Sequence, residues 1–585
     1  MALEEIKSVF KSIILLSERL DINSKQMTTK KFNIGGVLFI ITLCAIFFYS
    51  CDEEKIYPET RLFRPVLNQD LQAVGNTIVV NMGNLKKAVS YTVEVSRDTF
   101  KTIDYTIQSD TSQFVINDEL LNGDPLFWAT LYQLRAVAHA EDPQYDSKVS
   151  DLGNVKTQQF PTILNTPKSY DVIDVAARVS WLVAGAKVTG IKVFAGNDLK
   201  LTTPLLEFVV PDADQESGET FVVQGLDPAT KYQVAIYSED ELRGWVDYQT
   251  LVQDIDPAAS GVHDLTGATD PTAVATEVAA AADGDVILIA RGSKFDMPTV
   301  ALNKSITIRA AYGFQPKKAM LYNTNGNWNI AGGSTIDHIR FVDLELRGGN
   351  FSGTYVFNPA TDNISVNEIT FENCYINTMR GIMRIRNNNV VIENYNIINT
   401  VVDSIGSYGL LTTDTNVNGP PSTTAQVHNI LFQNSTFNHL QFGLSTYNNM
   451  QSITIESCTF SNMVTTESGN YIFRFRGGAG NNDVINGISI KNSIFGPGWN
   501  ISGTATNNIR GKDGLPNTTI EVINTYGTSD WAFIATYEIT GLPSSTYLGT
   551  QTALWVDPAK SNFNFKDTGF AGKYNTGDPR WRIKL

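Results

Sequence analysis

The sequence predicts an all-β protein in which two antiparallel sandwiches precede a solenoid of short strands. Three observations carry that prediction. A segment recurs at a spacing of 100 residues, irregular strand-bend-strand repeats fill the second half, and apolar residues alternate with polar ones instead of following a helical period.

In chain order, the first element is a leader. Lys30 and Lys31, an apolar run from Ile34 to Tyr49 and Ser50 directly before Cys51 form a secretory signal with a lipoprotein-type cleavage site over 27–50. The run falls short of the ~20 residues that cross a bilayer, so a lipid on Cys51 is the only membrane attachment expected. Residues 1–26 sit awkwardly ahead of such a signal, and Met27, followed by TTKK, reads as the better start. Asp52, Glu53 and Glu54 resemble the acidic surface-export signal of lipoproteins in Gram-negative bacteria that forage for polysaccharides. That resemblance implies a chain anchored in the outer membrane and facing the cell exterior, with 51–57 as an acidic linker.

Composition bounds the partners. With 60 acidic against 45 basic residues, the net charge of −15 argues against nucleic acid. The five histidines and four cysteines form no metal-ligand cluster, and there is no phosphate loop or nucleotide fingerprint, so no cofactor is expected. Cys44 and Cys51 belong to the leader. Cys374 and Cys458 hold equivalent places in FENCYI and IESCTF, which suggests thiols buried in one interior ladder and leaves a disulfide unproven.

The sandwiches are read from the 100-residue repeat. Leu126 to Tyr132 reads LxWxTxY and Leu226 to Tyr232 reads LxPxTxY, each followed by Gln and an alternating strand, while TIVVNMG at 77 and ARVSWLV at 177 keep the same offset. The expected domains are 58–160 and 161–254. Their LxPxTxY turn resembles the tyrosine corner of fibronectin type III modules, which implies that Tyr132 and Tyr232 tie a strand to the turn before it. The first copy has Trp128 in place of proline. Such modules are expected to act as spacers. QDIDPAAS at 253–260 marks a linker, placed at 255–264.

From 272 the texture changes to a short Ala-rich helix, a turn and a strand, TAVATEVAAAADGDVILIARG. Alternating strands then begin at 336, 368, 389, 429, 452 and 487, each followed by a bend and a second short strand. Ile, Val and Phe at alternate positions face inward, and Asn373, Asn394, Asn434 and Asn492 are placed at one bend as a structural ladder. The helix, GDVILIA and KSITI at 304–308 resemble the opening of pectate-lyase-like right-handed parallel β-helices, which implies that fold for 265–585. The closing stretch LWVDPAKSNFNFKDTGFAGKYNTGDPRW (554–581) resembles that of uncharacterised surface lipoproteins from the same foragers. Those proteins join fibronectin-like repeats to such a β-helix, and the resemblance implies an outer-membrane glycan-uptake complex as a partner.

Two strands then stand out. Gly381-Ile-Met-Arg384-Ile-Arg386 and Tyr471-Ile-Phe-Arg474-Phe-Arg476 each set two arginines at alternate positions, hence on one face, with Met383, Ile385, Phe473 and Phe475 pointing to the core. With two coils between them, the pairs are expected ~14 Å apart at ~4.8 Å per coil. Planar guanidinium forks suit carboxylates, which uronic acids supply; the alternative is a structural network with Asp and Glu of neighbouring loops. Tyr408, Tyr447 and Tyr471, together with Tyr355, Trp328 and Trp499, either offer flat faces to sugar rings or cover the edges of coils.

The function expected first is capture of an acidic, pectin-like polysaccharide on the β-helix groove, as part of glycan acquisition. A divergent polysaccharide lyase is the alternative, requiring calcium or arginine to neutralise the uronate and a base for its proton. An adhesin or structural surface protein is the third. The chain lacks the RxPxxR element of pectate lyases, and Asp337-His338 lacks the tryptophan of their WIDH motif. The NTD, DD and GHG elements of polygalacturonases are missing, with Asp414 a lone candidate, and Lys491 and Lys512 lack the motifs of lysine-arginine lyases.

Overall fold

The computed structural model describes residues 60–212, 214, 220–324, 326–386, 389–413, 424–465, 469–475, 482–503 and 508–583. The leader with Cys51, the acidic residues after it, Asp414 and Arg476 lie outside the described residues. The chain divides into two units, Met1–Gln158 and Gln159–Leu585.

The first unit is a sandwich of a three-stranded antiparallel sheet (Gln72–Val74, Thr77–Asn81, Gln113–Ile116) and a four-stranded one (Tyr105–Ser109, Ser90–Ser96, Leu131–His139, Ser150–Lys156). Alternation builds its core: Tyr91, Val93 and Val95 with Tyr132, Leu134 and Ala136 meet Ile78, Val80 and Ile116. The second unit opens with an equivalent sandwich, in which Ala176–Val179 pairs with Phe221–Gln224 opposite a four-stranded sheet ending in Lys231–Ser238 and Glu241–Gln249. Both tyrosine corners form. The Tyr132 hydroxyl accepts the Phe127 N–H at 2.9 Å and the Tyr232 hydroxyl accepts the Asp227 N–H at 2.8 Å. Trp128 leaves this geometry intact because the bond uses backbone atoms of the turn, not the residue at its centre. Burial pushes the Tyr132 phenol up to about 12.

The rest of the second unit is a parallel β-helix, so the chain is all-β: two fibronectin type III-like sandwiches followed by a coiled parallel array. The helix Ala273–Ala280 buries Val274 and Val278, four residues apart, against the first coils. Ten parallel strands form the first sheet, beginning at Val262–Leu265, which overlaps the end of the stretch read as linker, and ending at Ile520–Ile523. Thr335–Val342, Ile364–Glu372, Val390–Ile398, Ala425–Gln433, Ser452–Glu456 and Ile488–Lys491 within it are the six sequence repeats. A second parallel sheet runs from Lys294–Asp296 to Ser545–Thr546. A third joins it, because Tyr375–Ile385 and Val401–Thr413 are long enough to run through both. Aromatic rungs stack inside, Phe437 on Phe460 at 4.9 Å and Phe460 on Phe495 at 4.5 Å.

At the bend between first and second sheets, Asn373, Asn399, Asn434, Asn492 and Asn524 take the left-handed conformation (φ between 46° and 51°). Asn394 is not among them. It lies within strand Val390–Ile398 and pairs with Asn429, so the bend residue of that coil is Asn399, five positions later. The error arises because NYNIIN offers three asparagines and only the coil closure selects one. The next position inward is a buried polar ladder: the Cys374 N–H donates to Thr400 Oγ1 at 3.0 Å, the Thr400 N–H to Ser435 Oγ at 3.1 Å and the Cys458 N–H to Ser493 Oγ at 3.1 Å. Both thiols are free and buried, and burial pushes Cys374 up to about 12 and raises Cys458 as well. Three rungs separate them by ~14 Å, beyond the ~7 Å Cα reach of a disulfide.

His263, on the first strand, clamps the capping helix. Its Nδ1 lies 2.9 Å from Glu277 Oε2 and its Nε2 lies 2.8 Å from Asp285 Oδ2, which needs both nitrogens to donate and therefore an imidazolium. The hydrogen bond to Asp285, then that to Glu277, outweighs burial and raises its pKa above 6.5. A raised folded value means that the stabilisation is complete below pH 6.5, the unfolded value, and is lost as pH climbs through the folded one. Hydrogen exchange in 262–289 is expected to quicken above that point, and His263→Gln is expected to remove the pH dependence.

The closing segment turns back along the second sheet. Thr436 donates to Asp578 at 2.7 Å, the Asp578 N–H to Thr459 Oγ1 at 2.9 Å, the Trp581 indole to Thr436 Oγ1 at 2.8 Å and Asn438 to the Pro558 carbonyl at 3.1 Å. Leu554, Trp555, Phe563 and Phe570 with Ile494 make a separate small core outside the coils. GDPRW is thus a docking element for the fold.

Candidate functional site

The third sheet comprises Tyr355–Phe357, the ends of Tyr375–Ile385 and Val401–Thr413, Leu444–Thr446, Tyr471–Phe475 and Arg510–Asp513. Its register places Arg384, Thr412, Ser445, Arg474 and Asp513 in a single row across five coils. Arg384 and Arg474 are therefore three rungs, ~14 Å, apart. Met383, Ile385, Phe473 and Phe475 point inward and are buried. Ile382 and Ile472 are buried too, since the strands turn a corner just before the arginine row and the alternation breaks there.

Glycines make that corner. Gly409 has φ of +58°, and a Cβ on Gly443 would stand 2.2 Å from the Ile472 carbonyl oxygen, a backbone atom that cannot yield. Gly443→Ala is expected to cost about 1–3 kcal/mol, the usual range for forced overpacking, read as a lower urea midpoint for the β-helix transition.

Over this row lies a cleft of about 250 Å³, lined by Arg380, Tyr408, Thr412, Ser445, Asn470 and Arg474 together with Ser407, Phe442 and Gly469. Two arginines line it and, among the described residues, no carboxylate does. The volume is below the ~300 Å³ at which small-molecule sites usually begin, so it suits one ring or one charged substituent of a longer chain. Tyr408 sits between two guanidinium groups, Arg380 at 4.7 Å and Arg384 at 4.1 Å from its ring centroid. Tyr355, 2% exposed, meets Tyr408 edge-on at 5.5 Å and holds Arg384 Nη1 at 3.4 Å from its hydroxyl.

At the far end, Arg474 Nη1 donates to the Gly469 carbonyl at 3.4 Å, and its Nε lies 3.6 Å from Asp513 Oδ2, too long for a hydrogen bond. That Nε and the Ser445 hydroxyl are buried without a hydrogen-bond partner among the described residues, as is Arg386 Nε. Unpaired buried polar atoms cost free energy, so the neighbouring Ser445 hydroxyl and Arg474 Nε in this row mark a place prepared for a partner, while Arg386 lies outside the row and the cleft.

The remaining sequence candidates fall elsewhere. Tyr471 is 7% exposed and packs edge-on against Tyr537 at 5.4 Å, so it supports Arg474 from below and offers no open face. Trp328 is fully buried with Phe341 and Phe357. Tyr447 follows the fourth strand and is not part of the lining. Arg380, Thr412, Ser445 and Asn470 were not singled out by sequence. Arg380 was available in RGIMRIR; the others carry no local signal, because register alone brings them together.

Residues 293–437 match the family model described as Domain of unknown function (DUF4957), and 453–581 match Domain of unknown function (DUF5123). The two cover successive parts of the β-helix and its closing segment. No curated protein matches the chain. Among solved structures, chicken CNTN1 FN1-FN3 domains are 13% identical, covering 33% of this chain and 68% of that one at a TM-score of 0.14. So low a score carries no argument, and the sandwich assignment rests on sheet order and the two tyrosine corners.

Proposed function

We propose that the third-sheet cleft captures the carboxylate of an acidic, pectin-like polysaccharide, and that the chain serves glycan acquisition as an outer-membrane, surface-facing lipoprotein attached through Cys51. One observation carries the reading: two arginines line a cleft that, among the described residues, no carboxylate lines, on a protein of net charge −15. A cationic cleft on a protein with excess acid suits a carboxylate ligand, with Asp513, 3.6 Å from Arg474 Nε, as the carboxylate it competes with. Arg384 does not line the cleft but backs its Tyr408 wall at 4.1 Å, and an outer-membrane uptake complex is the expected recipient. The sandwiches act as spacers in this scheme.

A second reading, a uronate lyase, is favoured by Tyr408. Apart from the arginines it is the only titratable side chain lining the cleft among the described residues, and a phenol placed beside a neutralised carboxylate is able to exchange a proton. The deciding experiment incubates the full chain with polygalacturonate and with its methyl ester, with calcium and with chelator. Binding to the acid and not the ester, with no rise in ultraviolet absorbance from unsaturated products, supports capture. A rise that Tyr408→Phe abolishes makes the protein a lyase. Equal binding to acid and ester, or none to either, overturns the carboxylate reading and leaves the adhesin role.

A further inference from the structure

A second cleft, of about 410 Å³, opens on the second sheet, with His439, Asn462 and Trp499 on the coil side and Gln551 and Asp557 on the closing segment. Among the described residues no lysine or arginine lines it, and Lys560 at its rim is already paired with the lining Asp557 at 3.2 Å. An anionic ligand therefore meets a carboxylate and no free counter-charge among these residues. Among the described residues no group of three His, Cys, Asp or Glu side chains is placed to hold a metal ion.

The polar atoms around this cleft are held in fixed orientations from behind. Asp403, 7% exposed, accepts from His439 Nδ1 at 3.0 Å, from Ser404 Oγ at 2.9 Å and from the Ser561 hydroxyl. Burial opposes its ionisation, but these hydrogen bonds outweigh burial and hold its pKa below the usual carboxylate range. An ionised Asp403 holds a proton on His439 Nδ1 and fixes the ring, whose other nitrogen, Nε2, is the one left for a ligand. Gln551 Oε1 accepts from Ser461 at 2.6 Å, which turns its NH₂ group away from that contact. Asn462 spends its NH₂ on Asn438 Oδ1 at 2.9 Å and Ser461 Oγ at 3.3 Å, leaving its carbonyl oxygen. Trp499, half-buried, is braced by His439 at 5.2 Å and Phe351 at 6.2 Å, both tilted to its plane.

We propose that this cleft binds one uncharged sugar ring, with the Trp499 indole against its C–H face and Gln551, Asn462 and His439 Nε2 hydrogen-bonding its hydroxyls. Hydroxyls both donate and accept, so a ring that presents several of them matches the Gln551 amide donor, the Asn462 carbonyl acceptor and the His439 ring nitrogen set around an aromatic plane, whereas a lipid or an apolar peptide leaves those atoms unpaired. The site does not rest on the arginine cleft. It uses another sheet, another wall and another ligand charge.

The test is binding of the full chain to an array of uncharged oligosaccharides, followed by calorimetric titration of the best probe among linear galactan, arabinan and glucomannan. Trp499→Ala and Gln551→Ala are each expected to weaken binding at least tenfold. His439→Asn, which suits the left-handed φ of 51° at that position, is expected to do the same while keeping the fold. Arg384→Ala and Arg474→Ala should leave the affinity unchanged, which separates this site from the acidic-glycan reading. Thermal unfolding curves matching the parent protein confirm that the variants are folded. No binding to any uncharged probe, or binding that survives both Trp499→Ala and Gln551→Ala, overturns the proposal.

Discussion

Trp555→Ala is expected to release the closing segment from the coils while the coils themselves stay folded. Trp555 is 1% exposed and lies edge-on to Phe563 at 4.9 Å, in a five-residue cluster with Ile494, Leu554 and Phe570. Truncating a buried Trp costs about 3–5 kcal/mol, the transfer of the ring plus the cavity it leaves. A cluster this small cannot absorb that loss, whereas the interior stack of the β-helix does not include Trp555 and is untouched. Limited proteolysis should then cut within 554–583 first, with the 262–527 region resistant. Native resistance of 554–583 in the variant would show that the hydrogen bonds of Asp578 and Trp581 to Thr436 hold the segment without the cluster.

The second large effect concerns the arginine row. Arg474→Ala is expected to lower affinity for polygalacturonate by about 10- to 100-fold, since a hydrogen bond to a charged group is worth roughly 1.5–3 kcal/mol. Arg474→Lys should recover little of it, because an ammonium lacks the fork that meets a carboxylate with two bonds. Ser445→Ala separates ligand from structure. Its hydroxyl has no partner among the described residues, so the free protein should lose nothing in stability, and a loss of binding assigns the hydroxyl to the ligand. If Asp513 is the true partner of Arg474, Asp513→Asn will mimic Arg474→Ala in unfolding; if the pair is incidental, as their 3.6 Å separation and partial exposure suggest, it will raise affinity by removing a competing carboxylate.

Much of this was readable from local pattern. The Tyr132 and Tyr232 corners and the capping helix follow from resemblance to fibronectin type III turns and β-helix openings, the inward Met383 and Phe473 and the equivalence of Cys374 and Cys458 from alternation and repeats, and the structure has each of them. Asn394 was misplaced because several asparagines competed for one bend. Tyr471 and Trp328 were read as candidate platforms because exposure of an aromatic side chain depends on what packs over it, which no short window contains.

The contrast is clearest between two outward rows. Thr436, Asn438, Thr459 and Ser461 on the second sheet look, in sequence, like Thr412 and Ser445 on the third: small polar residues at outward positions of short strands. Alternation sets which way each side chain points, and that much is determined by neighbours one and two residues away. What covers the side chain is settled by contacts such as Thr436 with Asp578, 142 positions apart. The returning segment seals the first row and leaves the second as the floor of a cationic cleft, because its apolar rings pack against Ile494 of the second sheet.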